Sequence, residues 1–141
     1  MDYKMDCMYK PEQYKMIYIT SYLAVGSSIY AVYNGHYLIS LCPAGIFLTS
    51  INHWRKPKLY SWQRCLDLTY VNLSLIYQLY KAYRSQYMMQ YYVLTFLAIS
   101  FYPLGNFYYN KKLYWHSAYA HCILHIIANI ANIFLYSGQI E

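Results

Sequence analysis

Between Met16 and Tyr136 the sequence is divided into five long stretches with almost no charge, and that division limits what the chain can fold into. A helix needs about 20 mostly apolar residues to cross the hydrocarbon of a bilayer. Candidate spans run over residues 16–33, 36–53, 62–80, 87–107 and 113–136. The pattern predicts an all-α fold: a polytopic membrane helix bundle of about five transmembrane helices over residues 16–137, preceded by a polar segment, 1–15. Charged residues make up 11% of the chain, against roughly 25% in an ordinary soluble domain. Such a chain cannot easily cover a soluble surface. Aromatic residues make up 21%, and 22 residues are Tyr, a count that codon bias alone could raise.

The cations set the expected orientation. Lys4, Lys10, Lys15, Arg55, Lys56, Lys58, Arg64, Lys111 and Lys112 fall at one end of the spans; only Lys81 and Arg84 fall at the other. Cytoplasmic loops carry the excess of Lys and Arg, so the N-terminus is expected in the cytoplasm. Trp54, Trp62 and Trp115 all lie at the cytoplasmic ends, as an interfacial aromatic belt would place them. The +6 net charge is split into short clusters, not a stripe or tail, and does not suggest nucleic acid. The expected partner is membrane lipid, and the expected location is a membrane crossed several times. Asn34-Gly35 reads as a turn, and Pro43 as a kink within the second span. Cys7, Cys42, Cys65 and Cys122 show no paired spacing and read as small core residues.

Polar residues inside spans are costly and usually face the bundle interior. Asp67 is the only acidic residue between Glu12 and Glu141, and it lies within the third span. His53 closes the second span. In the fifth, Ser117, His121, His125 and Asn129 repeat every four residues and so share one helix face. Two imidazoles at this spacing can bind one metal, and His53 can add a third nitrogen. Three His and an open position suit a hydrolytic zinc, with Asp67 as an outer partner or base. On this reading Thr49 or Ser50 holds a developing oxyanion or orients a ligand. The blander readings are that His121 and His125 hydrogen-bond neighbouring helices, Asn129 and Asn132 join helices, and Asp67 pairs with Arg64. On straight helices His53 would sit about 12 Å shallower than His125, which makes His116 the better-levelled ligand. His36, alone at the outer end, is expected to face outward.

The residues "TSINH", "RCLDL" and "HCILH" resemble, in order and placement, the pattern of the CREST superfamily. That group includes alkaline ceramidases, Per1-type lipid-remodelling enzymes and the progestin and adiponectin receptors. Its pattern is Ser-x-x-x-His ending the second helix, an Asp in the third and His-x-x-x-His in the last. The resemblance implies zinc on His53, His121 and His125 with Asp67 beside it, and hydrolysis of a lipid amide or ester. The chain departs from the family in having five spans in place of seven. It also has Thr49 at the Ser position, with Ser50 one residue off, and no acidic N-terminal calcium site of the ceramidase kind.

A non-catalytic multi-pass scaffold, viral or organellar, is the principal alternative, with polar residues that only pack helices. A b-type haem protein is the third reading, with His53 or His116 opposite His121 or His125. Haem predicts a Soret band in the purified protein; a spectrum without one eliminates it.

Overall fold

The computed structural model describes residues 7–140, so Lys4, Asp2 and Asp6 lie outside it. Six helices follow one another: α1 (Pro11–Thr20), α2 (Leu23–Tyr33), α3 (Leu41–Trp54), α4 (Trp62–Ala82), α5 (Met88–Asn110) and α6 (Tyr114–Ser137). No strand of a sheet occurs among the described residues; a single bridge joins Cys7 to Lys58. The expected all-α class therefore holds.

α1 and α2 form one nearly continuous rod, Pro11–Tyr33. Pro11 occupies its first position, where a missing N–H is harmless. The break at residues 21–22 has a local cause. The Thr20 and Ser21 hydroxyls both donate to the Ile17 carbonyl, at 2.9 and 3.0 Å, in competition with the backbone ladder. At the rod's far end Gly35 turns the chain at φ +82°, a left-handed conformation that suits glycine. The expected Asn34-Gly35 turn is thus present. Residues 36–40 form turns, and α3 begins only at Leu41. Pro43 is therefore in the first turn of α3, where it disrupts no earlier hydrogen bond, and the expected mid-span kink is absent.

Helix length bears on membrane crossing. The rod Pro11–Tyr33 and α6 are long and apolar enough to cross, with mean hydropathies of 1.2 and 1.5. α4 and α5 are long, at 21 and 23 residues, but do not reach that hydropathy. α3 has 14 residues and spans about 21 Å, short of a hydrocarbon core of about 30 Å.

α6 is the hub. It packs most extensively on α5 and also on α1 and α2, while α3 and α4 form a hairpin joined to the rest through α1 and α2. α4 and α5 touch only sparingly, next to their connecting turn, where Tyr92 Oη donates to the Leu79 carbonyl at 3.0 Å. Small residues allow close approach. Gly105 of α5 faces Ser117 and Ala120 of α6, and Ala24, Ala31, Ala82, Ala98, Ala118 and Ala131 are all buried.

Burial is inverted relative to an ordinary water-soluble bundle. α4 turns Asp67, Ser74 and Gln78 inward, while Leu73 and Ile76 are 62% and 65% exposed. On α5, Thr95 and Ala98 are buried and Val93 and Phe96 are each 61% exposed. Many large apolar side chains cover the outside, while the inside mixes small and polar residues with a few large ones such as Ile17, Tyr91, Leu135 and Tyr136.

The described cationic clusters gather at one end. Met8 N–H donates to the Pro57 carbonyl at 2.9 Å, joining the N-terminal segment to the α3–α4 loop. Tyr9 packs on Tyr109 and Tyr114, which flank the α5–α6 loop. The opposite end collects the Lys81–Arg84 region and the C-terminus, where Gln86 N–H donates to the Gln139 carbonyl at 3.0 Å. His36 does not face freely outward: its Nε2 lies 3.0 Å from the Gly138 carbonyl.

The α3–α4 hairpin depends on one glycine. A Cβ on Gly45 would fall 2.0 Å from the Tyr70 ring, whose hydroxyl donates to the Leu41 carbonyl at 2.7 Å. Gly45→Ala should therefore destabilise the protein by about 1–3 kcal/mol. Gly45→Ala combined with Tyr70→Ala should recover part of the loss in a thermal melt in detergent. Equal stability of wild type and Gly45→Ala would contradict this packing.

Candidate functional site

The polar row of α6 points inward along its whole length and meets a different partner at each turn. Ser117 Oγ lies 2.7 Å from the Tyr9 hydroxyl. The His121 ring lies 4.7 Å from the Trp54 ring, and the His125 ring 4.6 Å from that of His121. His125 Nδ1 is 2.9 Å from Thr20 Oγ1. Asn129 accepts from Ser27 Oγ and donates to the His125 carbonyl at 2.7 Å. The N-terminal segment, α3, α1 and α2 are thus all fastened to one face of α6.

Trp54 bears on the expected difference in depth between His53 and the α6 imidazoles. This tryptophan is only 4% exposed, so it is not a belt residue, whereas Trp62 and Trp115 are 66% and 43% exposed. His53, the neighbour of Trp54 in sequence, is buried as well. The Trp54 ring rests against both His53 and His121, at 4.7 Å from each. His116 is exposed and stacks on Tyr108 at 5.3 Å, so it does not replace any of the three.

Asp67 is buried on α4, and its carboxyl group is gripped by α3. Thr49 Oγ1 and Ser50 Oγ donate to its Oδ1 at 2.9 and 3.0 Å. These hydroxyls lie four and three residues before His53, so Asp67 meets α3 about one turn deeper than that imidazole. The partnership of Asp67 with Thr49 and Ser50 is not apparent from the spacing along the chain. It depends on the register of the hairpin. Thr49 also lies 3.1 Å from the Ile46 carbonyl.

The donor atoms can be examined as metal ligands. His53 Nδ1 is buried and has no hydrogen-bond partner among the described residues. The Thr20 hydroxyl proton has a receiver in the Ile17 carbonyl, so His125 Nδ1–H can donate to Thr20. That tautomer leaves His125 Nε2 with a free lone pair, the form in which an imidazole binds a metal. The chemistry of the set therefore suits zinc. The spacing is wider than coordination requires: among the described residues no three His, Cys, Asp or Glu side chains are grouped closely enough to hold a metal ion. Trp54, packed on two of the three rings, would have to turn aside for them to converge.

Tyr9 closes the basic end of the site. It packs on Trp54 at 5.9 Å and is itself buried. Burial pushes its phenol above the ordinary value, with the Ser117 hydrogen bond acting in the opposite sense, so Tyr9 remains neutral at physiological pH. Nothing in the sequence marks Tyr9 among the 22 tyrosines as part of the site. Of the cysteines, Cys42 and Cys122 are buried as expected, whereas Cys65 is exposed.

Comparison with known proteins finds no matching family model, curated protein or solved structure.

The grip on Asp67 can be tested by removing its donors. Thr49→Val with Ser50→Ala leaves a buried carboxyl group without these partners and should cost about 3 kcal/mol or more. Adding Asp67→Leu should restore part of that stability, as measured by thermal unfolding in detergent. A triple variant no more stable than the double variant would contradict the assignment.

Proposed function

We propose that this chain is an integral, multi-pass membrane protein with a cytoplasmic N-terminus. We further propose that its His–Asp layer works as a metal-dependent hydrolase site for a lipid amide or ester. The membrane part is supported by the inverted burial, with apolar side chains outside and polar ones inside. Its orientation is supported by the gathering of Lys10, Arg55, Lys56, Lys58, Lys111 and Lys112 at one end.

One observation supports the site: His53, His121 and His125 lie along one chain of ring contacts through Trp54, while Asp67 is held by Thr49 and Ser50 on the helix that carries His53. The resemblance to the CREST pattern rests on the same residues. His53, His121 and His125 would hold zinc, with Asp67 next to them. Bound zinc supplies a Lewis acid and a water of lowered pKa. The chain's own residues have separate tasks. Thr49 and Ser50 fix the Asp67 carboxyl group, so that it can take or return a proton from one position. Thr20 sets the His125 tautomer. Trp54 and Tyr9 keep water out from the basic end, so a substrate reaches the layer from the bilayer.

A second reading has its own support. The Thr20–His125, Ser27–Asn129 and Thr49/Ser50–Asp67 pairs satisfy polar groups within the bundle. That is what a non-catalytic membrane scaffold requires.

Metal analysis of detergent-purified protein separates the two. The hydrolase reading predicts about one zinc per chain, lost together in His121→Ala and His125→Ala. Folded protein without zinc, destabilised by His121→Ala but otherwise unchanged, supports the scaffold.

A further inference from the structure

A cavity of about 330 Å³ lies between α4 and α5, backed by α6 and Ile46 of α3. That is within the range of about 300–1,000 Å³ typical of small-molecule sites. α4 and α5 meet at their connecting turn and hardly touch beyond it, so the cavity occupies the gap between them. Leu68, Val71, Leu75, Ile99 and Leu124 supply apolar walls.

The polar groups on this lining are all uncharged. Gln78 and Asn132 are only 4% and 8% exposed. Gln78 Oε1 accepts from Tyr136 Oη, which leaves its N–H groups free to donate. The Asn132 amide makes no side-chain hydrogen bond among the described residues. This amide opens on the apolar cavity, where an external polar group can pair with it. No cation or carboxylate lines the cavity to receive a charged headgroup.

We propose that this cavity holds an uncharged single-chain amphiphile drawn from the bilayer, with its chain between α4 and α5 and a hydroxyl or carbonyl on Asn132 and Gln78. The site goes beyond the hydrolase reading, because it needs no metal and its ligand is held without being cleaved. The neutral lining selects against fatty acids and other anionic lipids, which would bring an uncompensated charge against α4–α6.

The test uses the full chain in bilayer nanodiscs with a long-chain alcohol carrying a diazirine and an alkyne. The matching fatty acid at neutral pH is the comparison. The alcohol is expected to label α4, α5 or α6 residues lining the cavity, with a preference over the acid of about tenfold or more. Ala128→Phe fills the cavity and should abolish labelling. Asn132→Leu keeps the shape and should weaken alcohol labelling about tenfold. If Ala128→Phe does not fold, Asn132→Leu decides. Equal labelling by the acid, or undiminished labelling in the decisive variant, overturns the proposal. So does absence of alcohol labelling of the wild-type chain; disulfide-linked dimers of Ile99→Cys would then show that a second copy covers the gap. Metal content is a separate readout, so failure of this proposal is distinguishable from failure of the hydrolase reading.

Discussion

The row Ser117, His121, His125 and Asn129 on α6 is the constraint from which the rest of the bundle follows. Four polar side chains on one face of an apolar helix turn into the bundle, where a polar group without a partner is expensive. Ser117, His125 and Asn129 hydrogen-bond Tyr9, Thr20 and Ser27, and the His121 ring packs on Trp54. The N-terminal segment, α3, α1 and α2 are thereby arranged around α6, while Gly105 and the alanines let α5 close the other side. Many large apolar residues, among them Leu73, Ile76, Val93 and Phe96, cover the exterior. The hydrophobic effect gives no reason for that arrangement in water, but it is natural where lipid is the solvent.

Much of this was legible in the sequence. The long uncharged runs foretold the helices, and α4, α5 and α6 begin and end within a few residues of the stretches marked by Trp62, Tyr87 and Leu113. The i, i+4 row on the last helix foretold an inward polar stripe, because a period of four residues fixes a face whatever the tertiary structure. The gathering of the cationic loops followed from alternating helix direction.

Other features depend on tertiary detail and could not be read in advance. The shortness of α3 reflects residues 36–40 turning back toward the C-terminus, where His36 meets Gly138. The burial of Trp54 follows from a cleft made by Tyr9 and His121, and composition alone assigns Trp to the interface. The pairing of Asp67 with Thr49 and Ser50 needs the hairpin register, which Gly45 and Tyr70 set. Trp54 also links two of the three imidazoles: its ring rests against both His53 and His121.

In the proposed membrane arrangement these helices pass back and forth through a bilayer around α6. That arrangement is tested most directly by the accessibility of single cysteines to a membrane-impermeant maleimide on intact cells. The account predicts that Arg84→Cys is labelled from outside, whereas Lys58→Cys is labelled only after permeabilisation, each relative to wild type. Labelling of both from the same side, or release of the protein from membranes by alkaline carbonate, would contradict it.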